Sequence, residues 1–297
     1  MNIRLFSVVL LLSGISTILN AQQSGWFVVE QQEDRFGNYS SQSVFIQDQR
    51  LRIENEASVF IIELDSVQLT LIFPVQQIYW KGSPLQLREA LLARLKQQIE
   101  EIIARLPEHS RTEADSSFSN ELRLLEAGYS DSTSTANFTI EKTNDFDTIV
   151  GYAAQKHNIY LDSILLETIW TSTEINPYSG INRELLSEMT GIFSPPSRVA
   201  AHRETKLYQQ FTKEILVMRS LIPTPLGEST TEIKQIKAIP VPDDFFRPPP
   251  GYKNARIEEI IAITMDQEGP IVTNGLKPEK PIPRNPFEDQ KINPPLH

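Results

Sequence analysis

The chain contains no cysteine, and this absence limits what the protein can be. It excludes disulfide bonds, thiol chemistry and a bacterial lipid anchor on a cysteine. A mini-protein would need such cross-links, whereas a chain of 297 residues can bury a sufficient hydrophobic core without them. Histidine is also scarce, and no two of the four histidines stand at a spacing typical of a metal site. We therefore expect neither a metal centre nor a cofactor.

The sequence also lacks the short motifs of common catalytic sites. It has no nucleophile elbow, no H-E-x-x-H, no phosphate loop, no dinucleotide glycine fingerprint and no calcium loop. Neighbouring acids such as Asp243 and Asp244 are more typical of a solvated surface than of a catalytic pair. The sequence therefore predicts that the protein is not an enzyme, and no catalytic residue is assigned.

Basic residues are few for a chain of this length. Lysine and arginine together number 28, against 38 acidic residues. Binding to nucleic acid depends on clustered lysine and arginine side chains that contact phosphates. We therefore expect no nucleic-acid partner.

Long apolar runs are absent except near the N-terminus. Residues 5–19 are apolar but are interrupted by small and polar residues, and the run is shorter than the roughly 20 residues of a membrane-spanning helix. Arg4 precedes the run and Ala21 follows it, which is typical of a signal peptide over residues 1–21. A membrane anchor is the disfavoured alternative. We expect an exported protein of the periplasm or outer cell envelope, not a lipoprotein, with no transmembrane segment in the mature chain.

Alternation of apolar and polar residues between positions 25 and 82 predicts six short strands in an antiparallel meander. Leu51 and Ile53 share one strand face by this period of two. Ser83 and Pro84 are suited to begin a helix, and an apolar stripe with a spacing near 3.6 continues to residue 106. This helix must cover an apolar surface, and the inner face of the meander is the expected partner.

Two stretches have biased composition. Residues 108–135 are rich in serine, threonine and acids, which predicts an insertion that orders poorly. Residues 253–297 are rich in proline and are expected to form a disordered tail, although the apolar residues 257–263 could add one helix or strand. The expected domain therefore occupies residues 22–252.

The stretch DTIVGYAAQKHNIYLD, residues 147–162, combines strand patterns with one glycine and one histidine. The stretch predicts either two strands or one bent strand. A glycine inside a strand pattern indicates a bulge or a close backbone approach, so Gly151 is expected to let the sheet bend. His157 has polar neighbours, and we expect it to be an exposed strand residue and not a metal ligand or a general base.

The segments TIVGY at 148–152 and ILLETIW at 164–170, with Ile239-Pro240 and PGY at 250–252, carry a resemblance to a family. They resemble uncharacterised periplasmic domains of unknown function, similar to the LolA and LppX type of lipoprotein carrier. The resemblance implies an α+β fold: a strongly curved antiparallel β half-barrel with helices covering its concave side. It implies an apolar cavity and supplies no catalytic residues.

The inner sheet face gives a candidate ligand site. Tryptophans and aliphatic residues in strands are most often core residues, but they can also line the mouth of an apolar half-barrel. The expected cavity-lining residues are Leu51, Ile53, Leu69, Leu71, Phe73, Trp80 and Trp170. The leading hypothesis is a binding or carrier module for a hydrophobic ligand, with a lipid or a lipidated protein as the possible partner. A structural or interaction protein with a filled core is the alternative, and an enzyme is the least supported class.

Overall fold

The computed structural model describes residues 24–112, 115–116, 118–119, 137–191, 198–203, 205–224 and 227–267. The expected signal peptide, most of the expected insertion and residues 268–297 lie outside these ranges. Within them, no helix combines the length and the apolar character needed to cross a membrane.

Twelve strands of the described chain form one open sheet, which is antiparallel except at one edge. The strand order is β12-β6-β5-β4-β3-β2-β1-β11-β10-β9-β8-β7. The strands are β1 (Ser24–Glu33), β2 (Tyr39–Gln47), β3 (Arg50–Glu54), β4 (Val59–Glu63), β5 (Gln68–Phe73), β6 (Ile78–Gly82), β7 (Phe138–Ile149), β8 (Tyr152–Leu161), β9 (Ile164–Ser172), β10 (Leu216–Thr224), β11 (Gly227–Pro240) and β12 (Lys253–Asn254).

The meander of β1 to β6 confirms the expectation of six consecutive antiparallel strands. Its register places apolar residues opposite one another across several strands. Ile53 pairs with Val44 on one side and Phe60 on the other. Residues that are paired in this way point to the same sheet face, so one apolar face runs across the strands.

The helices in the described ranges connect or follow the strands. They include α1 (Pro84–Arg105), α2 (Arg183–Gly191), α3 (Arg198–Arg203), α4 (Lys206–Thr212), a short 3-10 helix (Asp243–Phe246) and α5 (Ile257–Gln267), and residues 108–112 are also helical. Ser83 caps α1 as predicted. Its hydroxyl accepts a hydrogen bond from the backbone N–H of Gln86, whose side chain accepts one from the backbone N–H of Ser83.

Each sheet face carries its own apolar cluster because successive strand residues point to opposite sides. Val28 belongs to the cluster that packs with α1, α2 and α5, which we call the helix-side core. Phe27 and Phe45 belong to the second cluster, which Phe245 and Phe246 of the 3-10 helix cover. The sheet is therefore covered on both faces over β1 to β5.

Residues 147–162 belong to two strands, which was one of the two expected alternatives, whereas the expectation of a bulge at Gly151 was wrong. Gly151 lies in the tight turn between β7 and β8, with φ of +84° after Val150 at +52°. A glycine adopts this left-handed backbone without the steric penalty of a Cβ atom. The strands therefore pair as a hairpin, and the sheet irregularity of this region lies in β7, between Lys142 and Phe146.

The folded part of the chain continues past the expected boundary at residue 252. Lys253 and Asn254 pair in parallel with Ile78 and Tyr79 of β6. The helix α5 then buries Ile260 completely. The proline content of the later residues suggested a tail, but residues 257–263 carry enough apolar surface to dock on the core.

Candidate functional site

The structure brings most of the sequence-predicted lining residues together on the helix side of the sheet. The register aligns Leu51 with Leu69 through Ile62, and Ile53 with Leu71 through Phe60. Leu71 in turn pairs with Trp80, and all seven predicted residues belong to the helix-side core or pack against it. Five of them are 0–8% exposed and are Leu51, Leu69, Leu71, Phe73 and Trp80, whereas Ile53 and Trp170 are half-buried. Their predicted role as a ligand lining stays a prediction.

Helix α1 covers this face with only its first two turns. Leu87 is 2% exposed and Leu91 packs against the helix-side core. Beyond them the apolar stripe is less covered: Leu92 and Ile99 are half-buried and Ile102 is exposed. The expectation that the whole stripe lies on the meander therefore holds only for its N-terminal part, while α1 also contacts α5.

Trp170 lies in a different environment from the other predicted residues. The guanidinium of Arg219 lies 5.1 Å from the centre of its ring, and Nζ of Lys156 lies 5.7 Å away. Arg219 also donates hydrogen bonds to Asp147 and Glu232, each at 2.7 Å. The ring is therefore part of a charged surface cluster, in which cations interact with its π-face.

A buried charged cluster, which the sequence did not predict, is centred on Glu167 in β9. Its side chain is fully buried, and its Oε1 accepts a hydrogen bond from Ser220 Oγ at 2.5 Å. Arg203 of α3 donates to both carboxylate oxygens, from Nη2 to Oε1 and from Nε to Oε2 at 3.3 Å. Burial on its own would raise the pKa of Glu167, but contact with His202 and the charge of Arg203 outweigh burial and lower the pKa to about 2.

His202 is fully buried beside this carboxylate. Its Nε2 lies 2.8 Å from Glu167 Oε2, and this contact contributes to the lowered pKa of the carboxyl group. The edge of the ring also packs against Tyr208, with centroids 5.1 Å apart.

His157 is buried, so the expectation of an exposed residue was wrong. It is 8% exposed and packs edge-on against Phe211, with centroids 5.0 Å apart. Burial lowers its pKa, and the charge of Lys142 acts in the same direction. The polar neighbours in sequence were misleading because α4 covers this part of β8.

An open cavity of about 330 Å³ lies between β1, the loop before α2, α2 itself, α3, α4 and β10. We call it the α2–α4 pocket. Its lining combines two arginines, two tyrosines and one acid with aliphatic and hydroxyl side chains. The lining residues are Glu30, Tyr178, Arg183, Leu186, Ser187, Thr190, Arg203, Tyr208, Gln209, Thr212, Leu216 and Val217.

A second cavity of about 400 Å³ lies beside β1, β2 and the turn after β3, and shares Glu30 with the first. Eight of its nine lining residues are polar or acidic, among them Ser40, Ser41 and Asn55, and none is a lysine or an arginine. Across the described ranges, no group of three or more histidine and acidic side chains could hold a metal ion.

One signal in the sequence pointed to the Glu167 cluster. Glu167 is an acid within the apolar strand pattern ILLETIW, and a buried acid requires partners. The partners could not be identified because His202 and Arg203 come from a short helix 35 and 36 residues later. Only the packing of α3 on β9 brings them together.

Comparisons with known proteins identify no family for this chain. No family model matches, and no curated protein matches. Solved structures give matches of low similarity. One is PNGF-II, with a TM-score of 0.32 and 12% identity over 80% of this chain and 32% of that one. The chain thus spans about a third of the length of this neighbour.

Two further structures match at a similar level. The Pseudomonas aeruginosa MucA/MucB complex has a TM-score of 0.30 and 9% identity, over 79% of this chain and 59% of that one. A DUF1329 family protein from Desulfovibrio piger has a TM-score of 0.26 and 6% identity, over 77% and 91%. These TM-scores are too low to establish a shared fold or function.

Proposed function

We propose that the protein is a binding or carrier module of the bacterial cell envelope for a hydrophobic ligand such as a lipid or an acyl chain. In this proposal the sheet is a strongly curved half-barrel, and α1 and α5 cover its concave side. The ligand lies between the sheet face of Leu71 and Trp80 and the covering helices. The envelope location is supported by the signal-peptide pattern of residues 1–21.

The observation that supports this proposal most is the incomplete packing of α1 against the sheet. Only Leu87 of this 22-residue helix is buried, and its apolar stripe is half-buried at Leu92 and Ile99. A helix held by so few contacts can move at low cost, and its movement exposes the apolar sheet face below. An acyl chain that replaces the helix contacts gains about 0.8 kcal/mol for each buried methylene.

One observation favours the alternative, a structural or interaction protein with a filled core. Leu69, Leu71 and Phe73 are 0–3% exposed, so the protein's own side chains already cover them. A ligand must therefore displace part of α1 or α5 instead of entering an empty space. The two functions differ in whether the purified protein retains a hydrophobic molecule.

Native mass spectrometry distinguishes them. The protein is unfolded in denaturant to remove bound lipid, refolded, incubated with a bacterial lipid extract and sprayed from non-denaturing buffer. We expect an adduct with the mass of an acyl lipid. Absence of any adduct would contradict a carrier role and favour the filled core.

Variants of α1 locate the ligand. Ile99→Glu places a charge on the half-buried stripe, whereas Ala93→Glu places the same charge on an exposed position of the same helix. We expect the Ile99 variant to lose at least tenfold in adduct intensity and the Ala93 variant to retain it. Equal adduct intensity in the two variants, whether lost or retained, would show that the ligand does not lie under α1.

A further inference from the structure

The α2–α4 pocket contains hydrogen-bond donors that the protein itself does not use. The hydroxyl groups of Tyr178 and Tyr208 both belong to lining residues, and neither makes a hydrogen bond to any described residue. Burial raises the pKa of both phenols, so each keeps its proton and stays a donor. Both hydroxyls belong to side chains that line an open cavity, so they can donate to a ligand that enters it.

Arg203 adds a fixed hydrogen-bond donor to the same pocket, and its charge is paired with that of Glu167. Its Nε and Nη2 are bound to Glu167, and Nη2 also donates to Ser220 Oγ at 3.0 Å. Its Nη1 makes no hydrogen bond within the described residues, and 41% of the side chain is exposed. Glu167 thus holds the guanidinium in place while Nη1 remains available as an in-plane donor to an oxyanion.

Arg183 brings a second cation to the opposite wall. It donates to the backbone oxygen of Thr212 at 2.6 Å and to Asn176 Oδ1 at 2.9 Å, and its guanidinium lies 5.5 Å from the ring centre of Tyr178. Its positive charge acts on both lining tyrosines. Arg183 therefore contributes charge to the pocket while its own position is fixed by the protein.

Glu30 is the one acid in the lining, and its charge opposes an anion. Gln42 Nε2 donates to its Oε2 at 2.7 Å, and burial raises its pKa. A carboxyl group with a raised pKa accepts a proton more readily when a second negative charge approaches. The protonated form offers a further donor, so Glu30 lowers affinity for an anion without preventing binding.

From these donors and charges we infer that the α2–α4 pocket binds one oxyanion group, either a carboxylate or a phosphate. The hydroxyl groups of Tyr178 and Tyr208 and Nη1 of Arg203 donate hydrogen bonds to its oxygens. A volume of about 330 Å³ suits a small ligand or a head group. Leu186 and Leu216 line the pocket and also contact the helix-side core, so an aliphatic chain attached to the anion meets an apolar wall. Only the contact between an aliphatic chain and this apolar wall depends on the proposed function.

The test is isothermal titration with defined anions. The probes are acetate, inorganic phosphate, dodecanoate and dodecyl phosphate, with the uncharged detergent dodecyl maltoside as control, each below its critical micelle concentration. Binding of the small anions as well as the amphiphiles would indicate a free anion as ligand. Binding of the anionic amphiphiles only would indicate a lipid head group. Binding of no anion would overturn the inference.

Three variants assign the binding to this pocket. Tyr178→Phe with Tyr208→Phe removes only the two unpartnered hydroxyls, and we expect at least tenfold weaker anion binding with an unchanged melting temperature. Glu30→Gln should tighten binding. Tyr160→Phe, which removes a hydroxyl on β8 outside the pocket, should change nothing. Anion binding that survives the double phenylalanine variant would also overturn the inference.

The carrier function and the anion site can be tested independently of each other. Binding of an uncharged lipid, measured by native mass spectrometry, does not require the tyrosine hydroxyls and should be unchanged in the double phenylalanine variant. If the double phenylalanine variant loses anion binding and keeps its lipid adducts, both proposals are supported. Binding of acetate or phosphate in a protein that retains no lipid would support the anion site and contradict the carrier function.

Discussion

Arg203 and Glu167 form a buried ion pair in which the guanidinium donates to both oxygens of the carboxylate. The two residues are 36 positions apart and join α3 to the central part of β9. Ser220 of β10 donates to the same carboxylate, so one side chain ties together two strands and a helix. This contact fixes α3, which forms one wall of the α2–α4 pocket.

Replacing Glu167 should destabilise the protein strongly. Glu167→Gln removes the negative charge and leaves Arg203 without its counter-ion. We expect a cost of about 3 kcal/mol of unfolding free energy, the lower end of the range for buried pairs, because 41% of the Arg203 side chain is exposed. Urea titration followed by circular dichroism measures the loss. The control is Glu174→Gln, an exposed position after the same strand, which should change stability by less than about 0.5 kcal/mol. A loss below about 1 kcal/mol for Glu167→Gln would contradict a structural ion pair.

The same residue should produce a specific acid dependence of stability. Its folded-state pKa is lowered from an ordinary value of 4.5 to about 2. A lowered carboxyl pKa stabilises the fold at pH values above 4.5, and this contribution is lost as the pH falls from 4.5 towards 2. The loss amounts to about 3 kcal/mol, because one pKa unit corresponds to about 1.36 kcal/mol.

The difference between wild type and Glu167→Gln isolates this effect from the other carboxylates. We expect the two proteins to differ most at pH 5 and above, and to approach each other in stability at pH 2.5. Unfolding free energies at a series of pH values give the curve. A stability difference that stays constant over this range would show that the Glu167 carboxylate is not the titrating group.

His157 should give a second pH dependence in a different range. Burial lowers its pKa below the ordinary 6.5, so the folded state favours the neutral ring. The stability that it contributes is complete above pH 6.5 and is lost as the pH falls below that value. His157→Phe, which can pack against Phe211, should remove this dependence. His109→Gln, at an exposed position, should preserve it. A protein that becomes more stable as the pH falls through this range would contradict this prediction.

Truncation tests whether β12 and α5 contribute to the stability of the fold. Deleting residues 268–297 should leave the melting temperature unchanged within about 2 °C. Deleting residues 253–297 also removes β12 and the fully buried Ile260, and should cost several kcal/mol through lost apolar burial. Equal stability of both truncated proteins would show that α5 does not contribute to the core.

The sequence predicted the meander and the sheet face of Leu51 and Leu71 correctly because both depend on a local period of two. The capped start of α1 followed from Ser83 and Pro84 for the same local reason. Burial of His157 could not be predicted, since it depends on α4, which follows about 50 residues later. The partners of Glu167 were missed for the same physical reason: a tertiary contact between distant elements leaves no periodic pattern in the sequence.

The extent to which α1 covers the sheet was predicted only in part. Its apolar stripe correctly indicated contact with the sheet, but periodicity does not show how far along the helix that contact extends. The prediction at the C-terminal end had the same limit. The proline content predicted a tail, although the apolar residues 257–263 belong to α5. Local composition predicted these elements better than it predicted their docking.

Movement of α1 on ligand binding tests the central claim most directly. The chain has no native cysteine, so cysteines at exposed Ala93 on α1 and at Val75 in the turn before β6 can carry a pair of spin labels. Double electron–electron resonance gives the distance distribution with and without a long-chain lipid. We expect the distribution to shift or broaden when lipid is added, because the ligand displaces α1 from the sheet. An unchanged distribution under saturating lipid would contradict a ligand site between α1 and the sheet.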